Sequence, residues 1–158
     1  MLKVETGTEN QILRTISQEI KQNEFDKYIK LGREMIKYIK NPENMGVGLA
    51  APQIGHNKRL IVVSLLKNRD DENFPTVMML NPEILEHSES TECEKEGCLS
   101  VPGENGEVKR FLTIKLKYID ERKKIKILVL TGVSARIVQH EIDHLDGVLF
   151  TDKIENSI

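Results

Sequence analysis

The stretch Gln139-His140-Glu141-Ile142-Asp143-His144-Leu145-Asp146-Gly147 contains the pattern His-Glu-x-x-His, and the rest of the sequence can be interpreted around it. Residues four apart on an α-helix lie one turn apart on the same face, so His140 and His144 can both bind one metal ion. Glu141 lies beside them, where its carboxylate can take a proton from a water bound to that ion. The pattern therefore predicts a helix that carries a metal site.

The residues around the motif support this helix. Val133 and Ile137 fall on the same stripe as the two histidines, and Gly147 stands where a helix would end. The simplest alternative is an ordinary amphipathic helix with two surface histidines. We favour the metal site because this pattern arises at random in roughly one chain in a hundred of this length.

Two histidines do not hold a catalytic metal on their own, because such sites usually have three protein ligands and one open position. One known pattern places a third histidine three residues after the glycine, but Phe150 stands there. Downstream of the motif only Asp152 and Glu155 remain as acidic candidates. We therefore expect the third ligand upstream, and a cysteine is the best candidate.

Of the two cysteines, Cys98 is the stronger candidate ligand. It lies in Glu96-Gly97-Cys98-Leu99-Ser100, which a turn-forming Val-Pro-Gly follows. Without the histidine motif, a small buried core cysteine would be the better interpretation. Cys93 lies between two glutamates, whose negative charges disfavour the thiolate form that binds metals.

Length and composition exclude several classes of protein. The chain has 158 residues, enough for one domain with a hydrophobic core. Charged residues make up 30% and the net charge is −2, which argues against a general nucleic-acid binder. No apolar run approaches the ~20 residues of a membrane span, and the N-terminus lacks a signal-peptide core. With two cysteines, we expect no disulfide framework and a reducing, cytoplasmic setting.

Hydrophobic periodicity predicts one long helix and a β-rich middle. The helix covers residues 24–40 and ends before Pro42. The predicted strands are residues 60–63, residues 77–80 ended by Asn81-Pro82, residues 112–118 and, after a turn at 120–123, residues 125–129. Strands that come in runs, with helices before and after, predict an α+β fold. We expect mostly antiparallel strands packed around the central metal-binding helix.

A segment of small residues, Gly46-Val47-Gly48-Leu49-Ala50-Ala51-Pro52-Gln53-Ile54-Gly55, precedes the first predicted strand. A phosphate loop would need a following Gly-Lys-Ser/Thr, which is absent, so the spacing alone favours a tight connection into the strand. The glycines let another backbone approach closely. Gln53 is the one polar side chain in the segment and is a candidate hydrogen-bond donor.

Three segments of the sequence, residues 46–53, 96–100 and 139–147, resemble in their order and rough spacing the three signature motifs of the peptide deformylase family. The resemblance extends to Ile12-Leu13-Arg14, Asn81-Pro82 and Arg110, and it covers nearly the whole chain. It implies that residues 1–158 form a single deformylase-like catalytic domain. The implied reaction is hydrolysis of the formyl group from the N-terminal formylmethionine of newly made polypeptides, which releases formate.

The resemblance also implies a role for individual residues. The positions that match the metal ligands of the family are Cys98, His140 and His144. Glu141 matches the general base, and Gln53 and the backbone N–H of Leu99 match the donors to the oxyanion. The positions that match substrate-binding residues are Gly46, Val47 and Gly48 at a strand edge, Gly97 opposite, and Val133, Arg136 and Ile137 at the methionine pocket.

The implied cofactor is one divalent metal ion per chain, with Fe²⁺ as the working metal and Zn²⁺, Ni²⁺ or Co²⁺ as substitutes. The implied partners are N-formylmethionyl nascent peptides, and no nucleic acid or membrane. Many bacterial members carry a further C-terminal helix that is linked to docking at the ribosome. This chain ends soon after Asp152, so we expect at most a transient contact with the ribosome.

Two alternatives remain open at this point. The chain could be a different hydrolase with the same histidine motif, a small zinc peptidase that cuts internal peptide bonds. It could also be a domain in which the metal only stabilises the fold. A structural site of that kind would be closed by a fourth protein ligand, and Cys93 is the candidate for it.

Overall fold

A computed structural model describes residues 2–155, so Met1 and residues 156–158 of the expected domain lie outside the described part. Within residues 2–155 the chain forms three α-helices and seven β-strands: α1 (Gln11–Arg14), α2 (Phe25–Lys40), β1 (Gly48–Ala50), β2 (Leu60–Ser64), β3 (Thr76–His87), β4 (Thr91–Gly97), β5 (Asn105–Phe111), β6 (Thr113–Ile119), β7 (Ile125–Thr131) and α3 (Val133–Leu145). Among these described helices, none is long and apolar enough to cross a membrane.

The strands form two antiparallel sheets. The larger sheet has the order β1-β2-β3-β6-β7, and β4 and β5 form a separate two-stranded sheet. Each neighbouring pair runs antiparallel. The predicted α+β fold with mostly antiparallel strands is confirmed.

The large sheet lies between the two long helices. In β2 every residue is buried, because its side chains alternate between two cores. Leu60 and Val62 pack in the core that includes α2, whereas Ile61 and Val63 pack in the core that includes α3. α3 is buried on most of its surface, as a central helix should be.

The long helix near the N-terminus is confirmed. α2 ends at Lys40, two residues before Pro42. Its Gly32 faces β3 so closely that an added Cβ would lie 2.9 Å from the sulfur of Met78. The missing side chain at Gly32 therefore lets α2 approach the sheet.

The prediction that a strand ends at Asn81-Pro82 is wrong, because β3 continues to His87. Asn81 has φ of +50°, and the pairing with β6 shifts register between Leu80 and Glu83. A bulge of this kind tolerates a proline, which has no N–H for the ladder. The Asn81 side chain accepts from the Ile20 N–H at 2.8 Å and donates to the Ile20 carbonyl at 3.0 Å. These long-range bonds stabilise a conformation that would otherwise end the strand.

The last predicted strand is confirmed, but its burial differs from that of β6. In β6 the alternating residues Ile114 and Leu116 are fully buried. In β7 the alternating set Ile125, Ile127 and Val129 is 55–66% exposed, and Leu128 and Leu130 pack against the core instead. β7 lies at the edge of the sheet, so its apolar alternation predicts the strand correctly without identifying the buried face.

The predicted end of the metal-binding helix is also confirmed. α3 ends at Leu145, and Gly147 follows with φ of +73°. A Cβ at Gly147 would lie 2.5 Å from the backbone oxygen of Arg14, the last residue of α1. Gly147 thus allows both the left-handed turn and the close contact with the N-terminal segment.

We expect Gly147→Ala to lower the free energy of unfolding by about 2–4 kcal/mol, since strain at positive φ adds to overlap with backbone. Gly55→Ala is the matched control, because Gly55 has φ of +85° and open space around its Cα. The control should lose only about 1–2 kcal/mol. Urea unfolding of both variants checks this, and equal losses would contradict the close contact with Arg14.

Candidate metal centre

The three residues proposed as metal ligands lie together. The Cys98 sulfur and one ring nitrogen from each of His140 and His144 lie within 4.8 Å of one another. The Cys98 Sγ is 3.3 Å from Nε2 of His144. Nδ1 of His140 binds Glu96 at 2.8 Å, which leaves its Nε2 for an ion. α3 supplies both imidazoles, and the turn after β4 supplies the sulfur.

This set of donors fits a divalent transition metal. Two imidazole nitrogens and one sulfur form a three-ligand set that leaves a position open, as catalytic sites do. Cys93 is exposed on β4 and does not belong to the cluster found within residues 2–155. The part of the chain that the structure describes therefore gives no support to a closed structural site that includes Cys93.

Glu141 gives a second indication that the site binds further groups. Its side chain is buried, and its Oε2 has no hydrogen-bond partner among the described residues. An unpaired buried polar group is costly, so it suits a site whose occupants complete its hydrogen bonds. Burial is the largest cause that raises the pKa of Glu141, to about 7. The carboxylate can therefore gain or lose a proton near neutral pH.

The two histidines have opposite electrostatic environments. Burial and the positive charges of His140 and Arg110 hold the pKa of His144 well below its usual value, which favours the neutral, metal-binding ring. Burial also opposes the charge on His140. Hydrogen bonds with Cys98 and Glu96 outweigh that effect and raise the pKa of His140 to about 10. An ion that binds His140 must therefore displace a proton.

Glu96 is a residue of the site to which the sequence analysis assigned no role. It is buried, and its carboxylate accepts hydrogen bonds from His140, Arg110 and Arg136. Burial raises the pKa of Glu96, but the bonds from Arg110 and His140 outweigh it and keep the pKa well below its usual range. The sequence offers one signal for this role. Glu96 lies two residues before Cys98, and Arg110 supplies a positive charge that could pair with it.

Gln53 lies where a hydrogen-bond donor was expected. Its Oε1 accepts the Ala50 N–H at 2.9 Å, which orients the amide. Its Nε2 then donates to Ser100 Oγ at 3.1 Å and lies 3.5 Å from the Cys98 sulfur. The donor group of Gln53 is therefore held beside the candidate ligand.

A cleft of about 590 Å³ opens above the metal ligands. It is lined by twelve of the residues that the sequence analysis named: Gly46, Val47, Gly48, Gln53, Gly97, Cys98, Leu99, Val133, Arg136, Ile137, His140 and Glu141. His144 is not part of this lining and is only 1% exposed. The structure thus brings all the candidate residues to one site.

Gly48 has a role that its spacing did not reveal. A Cβ at this position would overlap the carboxylate of Glu141. The backbone of β1 therefore packs directly against the candidate base. A lone Gly-x-Gly pattern cannot indicate this contact, because the two residues are 93 positions apart in the numbering.

Comparisons with known proteins bear directly on this site. The family model "Polypeptide deformylase" matches residues 2–157. A peptide deformylase of Prochlorococcus marinus (strain NATL1A) is 46% identical over 125 residues, which are 79% of this chain and 60% of that protein. The chain spans 60–65% of the length of the first such relatives.

Two solved structures match this chain over nearly their whole length. A probable peptide deformylase from Synechococcus phage S-SSM7 has a TM-score of 0.85 and 40% identity, and the match covers 98% of this chain and 100% of that one. A class I type b peptide deformylase from Acinetobacter baumannii has a TM-score of 0.85 and 38% identity, with 97% and 98% covered. Since the family model also matches almost the entire sequence, this chain belongs to the polypeptide deformylase family.

Proposed function

We propose that this chain removes the formyl group from the N-terminal formylmethionine of newly made polypeptides and releases formate. The observation that carries the proposal is the buried Glu141 carboxylate beside the cluster of Cys98, His140 and His144, at the base of an open cleft. Membership in the deformylase family supports it. The similar structure from Acinetobacter baumannii is bound to Met-Ala-Ser, a peptide of the kind that this reaction would release.

The walls of the cleft suit an extended peptide. Within residues 2–155, β1 is the edge strand of the large sheet and β4 pairs with β5 alone, so each offers free backbone groups. Gly46, Gly48 and Gly97 lie on these walls, where a substrate backbone can pair by main-chain hydrogen bonds. Such pairing depends little on the substrate's sequence. Val133 and Ile137, also on the wall, offer an apolar surface for the methionine side chain.

In the proposed reaction, a metal ion and the side chains would have separate roles. Cys98, His140 and His144 would hold a divalent ion, which would supply a Lewis acid able to lower the pKa of water toward neutrality. Glu141 accepts the proton of this water on a carboxylate oxygen. A new C–O bond then forms at the formyl carbon, and the carbonyl electron pair moves to its oxygen.

The oxyanion needs donors that are already in place. Gln53 donates from Nε2 and Leu99 from its backbone N–H. As the C–N bond breaks, Glu141 passes its proton to the departing amine nitrogen, and the products are formate and a free N-terminus. A pKa of about 7 suits Glu141 for both steps, because it can accept and donate a proton at the same pH.

We also propose that ferrous iron is the working metal. Two imidazoles and a thiolate accept zinc, iron, nickel or cobalt, and affinity order alone does not select one. A thiolate donates more charge than a third imidazole, which would weaken the polarising power of zinc at this site. The resemblance to the family also favours iron.

The remaining expectations concern the setting of the reaction. We place it in the cytoplasm, where newly made formylated polypeptides appear, and we treat residues 1–158 as one catalytic domain. N-formylmethionyl peptides are the proposed partners. A transient contact with the ribosome stays a prediction.

The variant Glu141→Gln should bind metal and fold normally but lose turnover by on the order of 10²–10⁴-fold, because an amide cannot accept the proton. Gly48→Ala should lose about 10²-fold by displacing the same carboxylate. Formate release from a formyl-Met tripeptide, with metal content measured in parallel, checks both variants. If the Glu141→Gln variant releases formate at close to the wild-type rate, Glu141 is not the general base.

Formyl-Met peptides should react faster than acetyl-Met peptides by on the order of 10²-fold or more, since the acetyl methyl group must fit between the donors and the metal. The kcat/KM ratio for two otherwise identical tripeptides measures this preference. An unblocked peptide of the same sequence serves as the control for cleavage of internal bonds. Comparable rates on both blocked peptides would indicate a general amidase, and internal cleavage would favour the zinc peptidase.

The iron form should be the most active and should lose activity in air, because Fe²⁺ and the Cys98 sulfur both oxidise. Nickel or cobalt should give active forms that are stable in air, and zinc a stable but slower form. The protein is stripped of metal and reloaded with each ion without oxygen, and kcat/KM and metal content are compared before and after exposure to air. A zinc form as fast as iron would reject the choice of metal and leave the deformylase activity standing.

A further inference from the structure

We propose that Arg136 is a positioning residue for the metal centre, which acts through Glu96 to hold His140 and the segment that carries Cys98 in a fixed arrangement. The resemblance to the family placed Arg136 at the methionine pocket instead. The inference rests on the function proposed above, since it concerns the ligands of the same site.

The guanidinium of Arg136 is bound at three places. Its Nη1 donates to Glu96 Oε2 at 2.6 Å and to the Val108 carbonyl at 2.8 Å, and its Nη2 donates to the Glu92 carbonyl at 2.6 Å. The side chain is only 8% exposed. Although Arg136 lines the cleft, its charged end is therefore committed to the protein rather than offered to a substrate.

These contacts complete the hydrogen bonding of Glu96. Oε1 accepts from His140 Nδ1 at 2.8 Å and from Arg110 Nη2 at 2.8 Å. Oε2 accepts from Arg110 Nε at 3.0 Å and from Arg136. With two donors on each oxygen, the carboxylate cannot rotate without breaking several charged hydrogen bonds. The oxygen that accepts from His140 is thereby fixed, and this bond sets the ring's orientation and leaves Nε2 free for the ion.

The position of Arg136 joins the two parts of the site. It lies on α3 four residues before His140, on the same face of the helix. Its backbone partners lie on β4 and β5, and β4 ends at Gly97, directly before Cys98. One side chain thus links the helix that supplies the histidines to the hairpin that supplies the sulfur.

Arg110 supports the same docking through different contacts. It reaches Glu96 from β5 and binds Asp143, which follows His140 by three residues on α3, whereas the bonds to the Val108 and Glu92 carbonyls come from Arg136. A lysine at position 136 could not replace the arginine, since one ammonium lacks the fork that reaches three acceptors in different directions. The structure therefore gives Arg136 a function that requires its shape as well as its charge.

The test compares Arg136→Leu and Arg136→Lys with Val133→Ala, a matched variant on the cleft wall of the same helix. Co²⁺ affinity is measured by competition with a chelator at one pH, and the absorption spectrum of the cobalt form reports the ligand geometry. Urea unfolding of the metal-free proteins gives the folded fraction. The kcat/KM ratio of formyl-Met to formyl-Ala peptides reports the methionine pocket.

We expect Arg136→Leu to weaken Co²⁺ binding by about 10–100-fold and to change the cobalt spectrum, with Arg136→Lys intermediate. The preference for methionine should stay unchanged in both. Val133→Ala should show the reverse: normal cobalt binding and a reduced preference for methionine.

A folded Arg136→Leu protein with wild-type affinity and spectrum would overturn the inference. If that variant does not fold, wild-type Co²⁺ binding by Arg136→Lys would overturn it equally. A loss of methionine preference with normal metal binding would overturn the inference and assign Arg136 to the methionine pocket. The cobalt measurements need no substrate, so a chain that binds cobalt as expected but releases no formate would reject the proposed function and leave this inference standing.

Discussion

The buried negative charge of Glu96 is the constraint on which the site depends. A carboxylate removed from water is strongly destabilising unless it is paired and fully hydrogen-bonded. Here Arg110 arrives from β5, and Arg136 and His140 arrive from α3. Because these partners come from both β5 and α3, the charge is fully hydrogen-bonded only when the hairpin and the helix are docked. The same docking brings Cys98 next to His144, so correct packing and assembly of the metal site are one event.

The features that could be predicted from the sequence are those with a local cause. The helix over the histidines follows from their spacing of four and from the apolar stripe of Val133 and Ile137, and the structure has that helix. Choosing Cys98 as a ligand required a second step of inference. Without the need for a third ligand, Cys98 would have been interpreted as a buried core cysteine. The three motifs together identified the family, because their order and spacing are much more specific than any one of them.

The features that could not be predicted depend on contacts between distant residues. Asn81-Pro82 is a turn signal in isolation, yet hydrogen bonds between Asn81 and Ile20, 61 residues away, keep it within β3. The exposure of Ile127 follows from the edge position of β7, which alternation along one strand does not encode. The direction of the Arg136 guanidinium likewise depends on Glu96 and on the carbonyl groups of two strands.

The close approach of Gly48 to Glu141 also restricts the conformational entropy of the Glu141 side chain. A free glutamate has many rotamers, and restricting them costs up to about 2 kcal/mol. Packing against the β1 backbone imposes this restriction when the chain folds, so the proposed reaction would not have to incur this entropy cost again. β1 is only three residues long and lies at the edge of its sheet, where local opening requires the least free energy. On heating, the Glu141 side chain should therefore regain its rotamers before the rest of the fold melts.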